Sequence, residues 1–269
     1  MKLVSVGDNV VDFYTQSDRS YVGGNSVNVS VFSKMYGAVQ SSYIGILGLD
    51  ANGEFIFEEL NAQNIDVTRI RWAYGETGRS DIFINDGERE FVGGNQGGVQ
   101  AALSINLNPS DKEFIANHDI IHSSVYSGLE NQLSQLSKIN KISFDFSTKV
   151  SKNYLKRVCP FVDFAFFSGG GLNNEEITSL SDYVQNLGVE NVIVTLGERG
   201  AIYSNKNEKL HFPSRKVKVV DTLGAGDAFI ATFLVNYFNQ AHIKDVMEKA
   251  IINSSEVCKT KGAFSGISI

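Results

Sequence analysis

Short runs of β-branched and aromatic residues alternate with amphipathic stretches along most of this chain, and that alternation restricts the fold more than any single motif does. Leu3–Gly7, Ser41–Leu47, Ile120–Ser123, Ile142–Phe146, Phe164–Phe167 and Val192–Leu196 read as strands. Helical patterns fall between or after them, at about 25–36, 52–62, 129–137, 151–158, 173–187, 224–238 and 242–260. Strands joined through helices run parallel, and the crossing helices then cover both faces of the sheet. The predicted class is therefore α/β, a three-layer αβα arrangement around a mostly parallel central sheet, in one domain spanning 1–269. Ligands in such folds gather at the carboxyl ends of the strands. Two segments, about 12–22 and 80–92, instead alternate polar and apolar residues, and the second holds the hairpin signal Asn85-Asp-Gly-Glu88. They are expected to form a small antiparallel β lid, hinged at Gly23-Gly24 and Gly93-Gly94.

Asp221-Thr-Leu-Gly-Ala-Gly-Asp227 lies between a β-branched run, Lys216–Val220, read as a strand, and an apolar helical pattern. The glycines let the backbone N–H groups of Gly224, Ala225 and Gly226 turn toward an anion at the positive end of the helix dipole, which makes an anion hole for phosphate. A carboxylate at its edge repels a phosphoryl group, so Asp227 reads as the base that takes a proton from an attacking hydroxyl. The competing reading is an ordinary αβ connection capped by an aspartate, which contributes about 0.5–2 kcal/mol and no chemistry. Phe229, Ile230, Phe233, Leu234, Tyr237 and Phe238 follow at helical spacing, a buried stripe that anchors the turn under either reading.

Near the N-terminus, Gly7-Asp8-Asn9-Val-Val-Asp12 follows the first strand and Gly23-Gly24-Asn25-Ser-Val-Asn28 opens the first helix. Carboxylates and carboxamides at strand tips suit a polyhydroxylated ligand, because they bond hydroxyls without reacting. Singly, such residues are common caps and turn formers. Together with a phosphate cradle they favour a sugar site. The net charge of −6 argues against nucleic acid, which calls for clustered Lys and Arg. An anionic nucleotide stays compatible, since backbone N–H groups and a metal ion supply the local positive field. Cys159 and Cys258 lack CxxC spacing, and His118, His122, His211 and His242 form no ligand cluster. The apolar run at the N-terminus falls far short of the ~20 residues of a membrane span. A cytoplasmic protein with reduced thiols and no membrane partner is expected.

Five features resemble, in order and over essentially the whole chain, the ribokinase-like (PfkB-type) carbohydrate kinases. They are Gly7-Asp8 with Asp12 downstream, Gly23-Gly24-Asn25-x-x-Asn28, the lid segment ending Asp86-Gly-Glu-Arg89, Thr195-Leu-Gly-Glu-Arg-Gly200, and Asp221-Thr-x-Gly-Ala-Gly-Asp227. The resemblance implies a ribokinase-like fold with Asp227 as catalytic base, Gly224, Ala225 and Gly226 as anion hole, and Asp8, Asp12, Gly23, Gly24 and Asn28 at the sugar. It places Thr195, Gly197, Glu198 and Gly200 on the nucleotide side, with Asn253 and Gly262 in the adenine-side tail. It further implies ATP, Mg²⁺ and a monovalent cation such as K⁺ held by nearby carbonyls. One departure stands out: where most members carry Asn-x-x-Glu, this chain has Ser168-Gly-Gly-Gly171, and Asn173-Asn-Glu-Glu176 follows as a displaced version that makes Glu176 a weak candidate for the Mg²⁺ shell.

Within the family the chain looks most like the fructoselysine 6-kinase branch, through Gly-Asp-Asn-x-Val-Asp-x-Tyr14, Phe144-Asp-Phe-Ser147, Asp163-Phe-Ala-Phe166 and Val192-Ile-Val-Thr-Leu-Gly-Glu198. The expected activity is transfer of the ATP γ-phosphoryl group to a sugar hydroxyl, with fructoselysine or a related fructosamine as acceptor. Asp18, Arg19, Arg79, Glu88 and Arg89 are the charged lid residues available to an amino-acid substituent. The alternatives are fructose, another ketohexose or a nucleoside as acceptor, and, from a different class, a sugar-binding regulator without catalysis. An apolar lid face of Phe13, Val22, Ile82, Ile84 and Phe91 suggests a homodimer formed through the lid.

Overall fold

The structure, a computed structural model, describes residues 1–85 and 88–264; Asp86 and Gly87 of the lid motif lie outside the described residues. In chain order the strands are β1 (Lys2–Val6), β2 (Val10–Tyr14), β3 (Arg19–Gly23), β4 (Gln40–Ile44), β5 (Ile46–Gly48), β6 (Arg71–Ala73), β7 (Arg79–Asn85), β8 (Glu88–Gly94), β9 (Ile120–Ser124), β10 (Lys141–Asp145), β11 (Phe164–Ser168), β12 (Asn191–Thr195), β13 (Ala201–Ser204) and β14 (Lys209–Phe212). The helices are α1 (Asn25–Met35), α2 (Ala51–Ala62), α3 (Gly98–Ala102), α4 (Pro109–Ala116), α5 (Leu133–Leu136), α6 (Lys152–Val158), α7 (Asn174–Asn186), α8 (Ala225–Phe238) and α9 (Ile243–Val257).

The main sheet has the order β14-β13-β12-β11-β10-β9-β1-β4. Every pair from β4 to β12 is parallel, and β13 and β14 add an antiparallel edge. Side chains alternate across it. On β11, Phe164 and Phe166 enter a core shared with α1, α2, α8 and α9, while Ala165 and Phe167 enter a second core with α3 to α7. This is the three-layer αβα arrangement that the alternating pattern predicts. The stripe on α8 is buried as expected: Phe233 lies edge-on to Phe166 at 5.5 Å and stacks with Tyr237 at 5.7 Å. Such ring pairs fix the helix against the sheet and hold its N-terminus at the strand tips.

Three local readings change. Ser41–Leu47 is two strands, because the chain leaves the main sheet at Gly45 and β5 pairs instead with β6. Lys216–Val220 forms no strand and pairs with none of the described strands; Val219 and Val220 are 43% and 36% exposed, so its Lys/Val alternation does not mark a buried face. The β13–β14 hairpin and helices α3 and α4 were not foreseen. For α4 the signal was present: Asn108 and Asp111 form a reciprocal capping box around Pro109.

The lid is a second sheet in the order β3-β2-β7-β8. It consists of two antiparallel hairpins joined by a parallel β2–β7 contact. Val11, Tyr14, Val22 and Ile82 are buried, which fastens it to the body, while Phe83, Phe91 and Val92 stay exposed. Gly24 does not behave as a free hinge. Its φ is +101° and a Cβ there would stand 2.7 Å from the Asn9 Cα, so the backbone is pinned against the loop after β1.

Candidate active site

The site is built where α1 and α8 bring their N-termini together over the carboxyl ends of β1, β9, β10 and β12. Asp227, in the first turn of α8, is gripped from α1: Asn25 Nδ2 donates to its Oδ1 at 2.7 Å and Asn28 Nδ2 to its Oδ2 at 2.7 Å. Asn28 is 2% exposed, and its Oδ1 has no hydrogen-bond partner among the described residues. A buried acceptor without a donor is costly, so an oxygen left this way beside a carboxylate suits a hydroxylated ligand. Asn25 also donates to Asp145 Oδ2 at 3.0 Å, while its own Oδ1 faces His122 Nε2 at 2.9 Å.

Burial pushes the Asp145 carboxyl up to about 7, and the charges of Asp227 and Asp8 add to that, against a Ser147 N–H bond that favours ionisation. Burial likewise drives His122 down to about 3, so its ring is neutral. Neither residue was foreseen as part of the site. The usable signal was that Asp145 ends a parallel strand, at the edge where ligands gather.

Asp8, expected at the sugar, is engaged by protein donors. Its Oδ2 accepts the Asn25 N–H at 2.7 Å, and its Oδ1 accepts from the hydroxyls of Ser26, Ser124 and Ser127 at 3.0–3.1 Å. Because Gly24 at the N-cap of α1 has no side chain, Asp8 supplies the cap from outside and so aims Asn25 and Asn28. Gly23 acts indirectly too: a Cβ there would stand 2.0 Å from Asp12 Oδ2, so it makes room for the buried Asp12 carboxylate.

Beside Asp227 a cleft of about 140 Å³ is lined by Thr195, Gly197, Gly200, Ser214, Ala225 and Gly226, with Phe229, Ile251, Ser254 and Ser255 completing it. The Thr195 and Gly200 segments thus meet the glycine turn, as the motif reading expects. At Gly226 no atom lies within 4 Å of a Cβ position, so the backbone opens directly onto the cleft. Gly224 differs, because its φ is +75° and a Cβ would press on Ala263 at 2.6 Å; its demand for glycine comes from the fold. Three expected nucleotide residues do not line the cleft. Asn253 turns to α8 and donates to Thr232 Oγ1 at 3.1 Å, leaving Ser254 and Ser255 to face the cleft. Glu198 is exposed, and its carbonyl, rather than its carboxylate, is used, by the Ser214 hydroxyl. Gly262 is buried against Tyr21 and donates its N–H to Asp221 at 3.1 Å.

Asp221 closes the turn from within. It is fully buried and accepts from Tyr14 Oη at 2.5 Å, Leu223 N–H at 2.9 Å and Gly262 N–H. Three protein donors thus meet that carboxylate. Glu176 is exposed and completes a capping box with Asn173 at the start of α7, so helix capping accounts for the Asn-x-x-Glu spelling there. The Ser168–Gly171 loop is instead held by Arg199, whose guanidinium donates to the carbonyls of Gly169, Gly170 and Leu172 at 2.7–3.2 Å. Among the described residues no group of three or more His, Cys, Asp or Glu converges to hold a metal. Mg²⁺ that arrives on nucleotide phosphates commonly takes only one or two carboxylates. On the lid, Arg79 is engaged already: it pairs with Asp81 at 2.7 Å and lies 4.4 Å over the Phe13 ring. No helix among the described residues is long and apolar enough to cross a membrane.

Known proteins resemble this chain in sequence and in fold. A fructosamine kinase, FrlD, from Bacillus subtilis is 41% identical over 265 residues, covering 98% of this chain and 93% of that protein. A fructoselysine 6-kinase from Shigella flexneri is 31% identical, covering 97% and 99%. The Arabidopsis thaliana ribokinase solved with ribose and ATP has the same fold, with a TM-score of 0.83 at 21% identity over 97% of this chain and 94% of that one. A protein described as a ribokinase II from E. coli, solved with ATP and Mg²⁺, superposes at a TM-score of 0.84 with 19% identity, covering 99% and 96%. The profile of the pfkB family carbohydrate kinases matches residues 2–268, so the chain belongs to that family and is an ATP-dependent sugar kinase.

Proposed function

We propose that the acceptor is a fructosamine, fructoselysine or a close relative, phosphorylated at its 6-hydroxyl with Asp227 as the base. The observation that carries the chemistry is the placement of Asp227: held by two carboxamides at the N-terminus of α8, it stands between the buried Asn28 oxygen and the cleft at Gly226. The acceptor class is supported by the two relatives named for fructosamine and fructoselysine. Asn28 and Asp12 orient the sugar, and Asp227 takes the hydroxyl proton as the oxygen attacks in line. The N–H groups of Gly224, Ala225 and Gly226 stabilise charge on the transferring oxygens. Bound Mg²⁺ would neutralise the β- and γ-phosphate charge. A monovalent cation such as K⁺, which the family resemblance implies, would add positive field near the same turn.

A coupled ADP assay over fructoselysine, other fructosamines, fructose, ribose and nucleosides tests the acceptor. Fructoselysine or another fructosamine is expected to show the highest kcat/KM; more efficient turnover of fructose or a nucleoside would overturn the narrow assignment. Of the lid face expected to pair, Val22 and Ile82 are buried and Phe91 stays exposed, and a homodimer is proposed to form through that exposed part of the lid. Sedimentation should then give a dimer mass, and a monomer at micromolar concentration would rule the pairing out.

A further inference from the structure

We propose that His122 is a positioning residue for the reaction: through Asn25 it fixes the direction of the hydrogen bonds that hold the base Asp227. The inference rests on Asp227 being that base.

The chain of bonds has only one consistent polarity. Asn25 Nδ2 lies 2.7 Å from Asp227 Oδ1 and 3.0 Å from Asp145 Oδ2. As the base, Asp227 is ionised and can only accept, so the amide nitrogen must face it and the amide oxygen must face away. That oxygen lies 2.9 Å from His122 Nε2, which therefore carries the proton. The ring is fully buried and neutral, so it holds a single proton and Nδ1 is a bare acceptor. Ser143 Oγ, 2.9 Å away, donates to it. Parallel pairing of β9 with β10 sets His122 beside Ser143 in register, which is why the two side chains meet. Donation thus runs one way, from Ser143 to His122 to Asn25 and on to the two carboxylates.

The arrangement meets a particular need. The ionisable groups gathered here are Asp8 from the loop after β1, His122 on β9, Asp145 on β10 and Asp227 on α8. Three of the four are acids, and the charges of Asp8 and Asp227 already bear on Asp145. A carboxamide free to flip would turn its oxygen onto two carboxylates. The donor on His122 prevents that flip, and the Asn25 N–H bond favours the ionised form of Asp227 on which proton abstraction depends.

The test has two arms. Long-range ¹H–¹⁵N correlation on the wild-type protein is expected to show His122 protonated on Nε2 and bare on Nδ1, and still neutral at a pH of about 5. An Nδ1–H tautomer or an imidazolium there overturns the proposal. This arm needs no acceptor, so a failure of the fructosamine assignment shows separately. The kinetic arm uses whichever acceptor the wild type turns over best. His122→Phe should lower kcat about ten- to a hundredfold, leave KM for ATP within about twofold, and move the acid limb of kcat/KM to higher pH. His122→Gln, which keeps a donor for Asn25, should stay within about threefold of wild type. A folded His122→Phe enzyme with wild-type kcat and acid limb, or His122→Gln as impaired as His122→Phe, overturns the proposal.

Discussion

Asp227→Asn is expected to lower kcat by about 10²–10⁴-fold with little change in ATP affinity. The substitution keeps the volume at the N-terminus of α8 and removes the basicity. Its local cost is limited but real: Asn25 and Asn28 each donate to one carboxylate oxygen, and a carboxamide can accept only one of those bonds. The other donor then meets an NH₂ group, so a small shift of the α1 N-terminus accompanies the chemical loss. ATP contacts change little, because the cleft is lined from Thr195, Gly197, Gly200 and the glycine turn and not by this carboxylate. Single-turnover and steady-state ADP release, with a direct measurement of ATP binding, separate the two effects. Turnover equal to wild type would remove Asp227 from its role.

How much of this was legible in the sequence depended on whether the signal was local. The parallel sheet and its two helical layers follow from hydrophobic period, and period is a property of short windows. Lys216–Val220 misled for the same reason. Its alternation has a strand's period, but it pairs with none of the described strands, and that is a tertiary fact. Asp227 and Asn28 were readable because each sits in a glycine-bearing turn at a helix start. Their partners were not. Asn25, His122, Asp145 and Asp227 are separated by 97 to 202 positions along the bonds that join them, and they meet only because β1, β9 and β10 are neighbours in the sheet. At Glu176 one spelling carries two signals: Asn-x-x-Glu is both a family motif and a capping box, and the capping box is present. The capping role of Asp8 was not legible, since capping by a side chain from another loop leaves no local pattern to read.

Asp221→Ala is expected to destabilise the protein by about 3–5 kcal/mol and to abolish ordered binding at the glycine turn. Burying a carboxylate is itself unfavourable, so its removal could in principle stabilise the fold. The sign is decided by what the truncation leaves behind. The Tyr14 hydroxyl and the Leu223 and Gly262 N–H groups all donate to Asp221, which is fully buried, and each stranded donor costs about 1–3 kcal/mol, not fully additively. The three donors come from the lid strand β2, the turn itself and the tail, so losing their common acceptor loosens three segments that converge on the phosphate cradle. Tyr14→Phe removes one donor and leaves the carboxylate with its N–H partners, so it should cost only about 1–2 kcal/mol. Asp221→Asn keeps one accepting oxygen and should fall between. Urea melts of the three variants give that order directly, and an Asp221→Ala loss below about 1 kcal/mol would mean that solvent can take over these bonds, which a fully buried node does not allow.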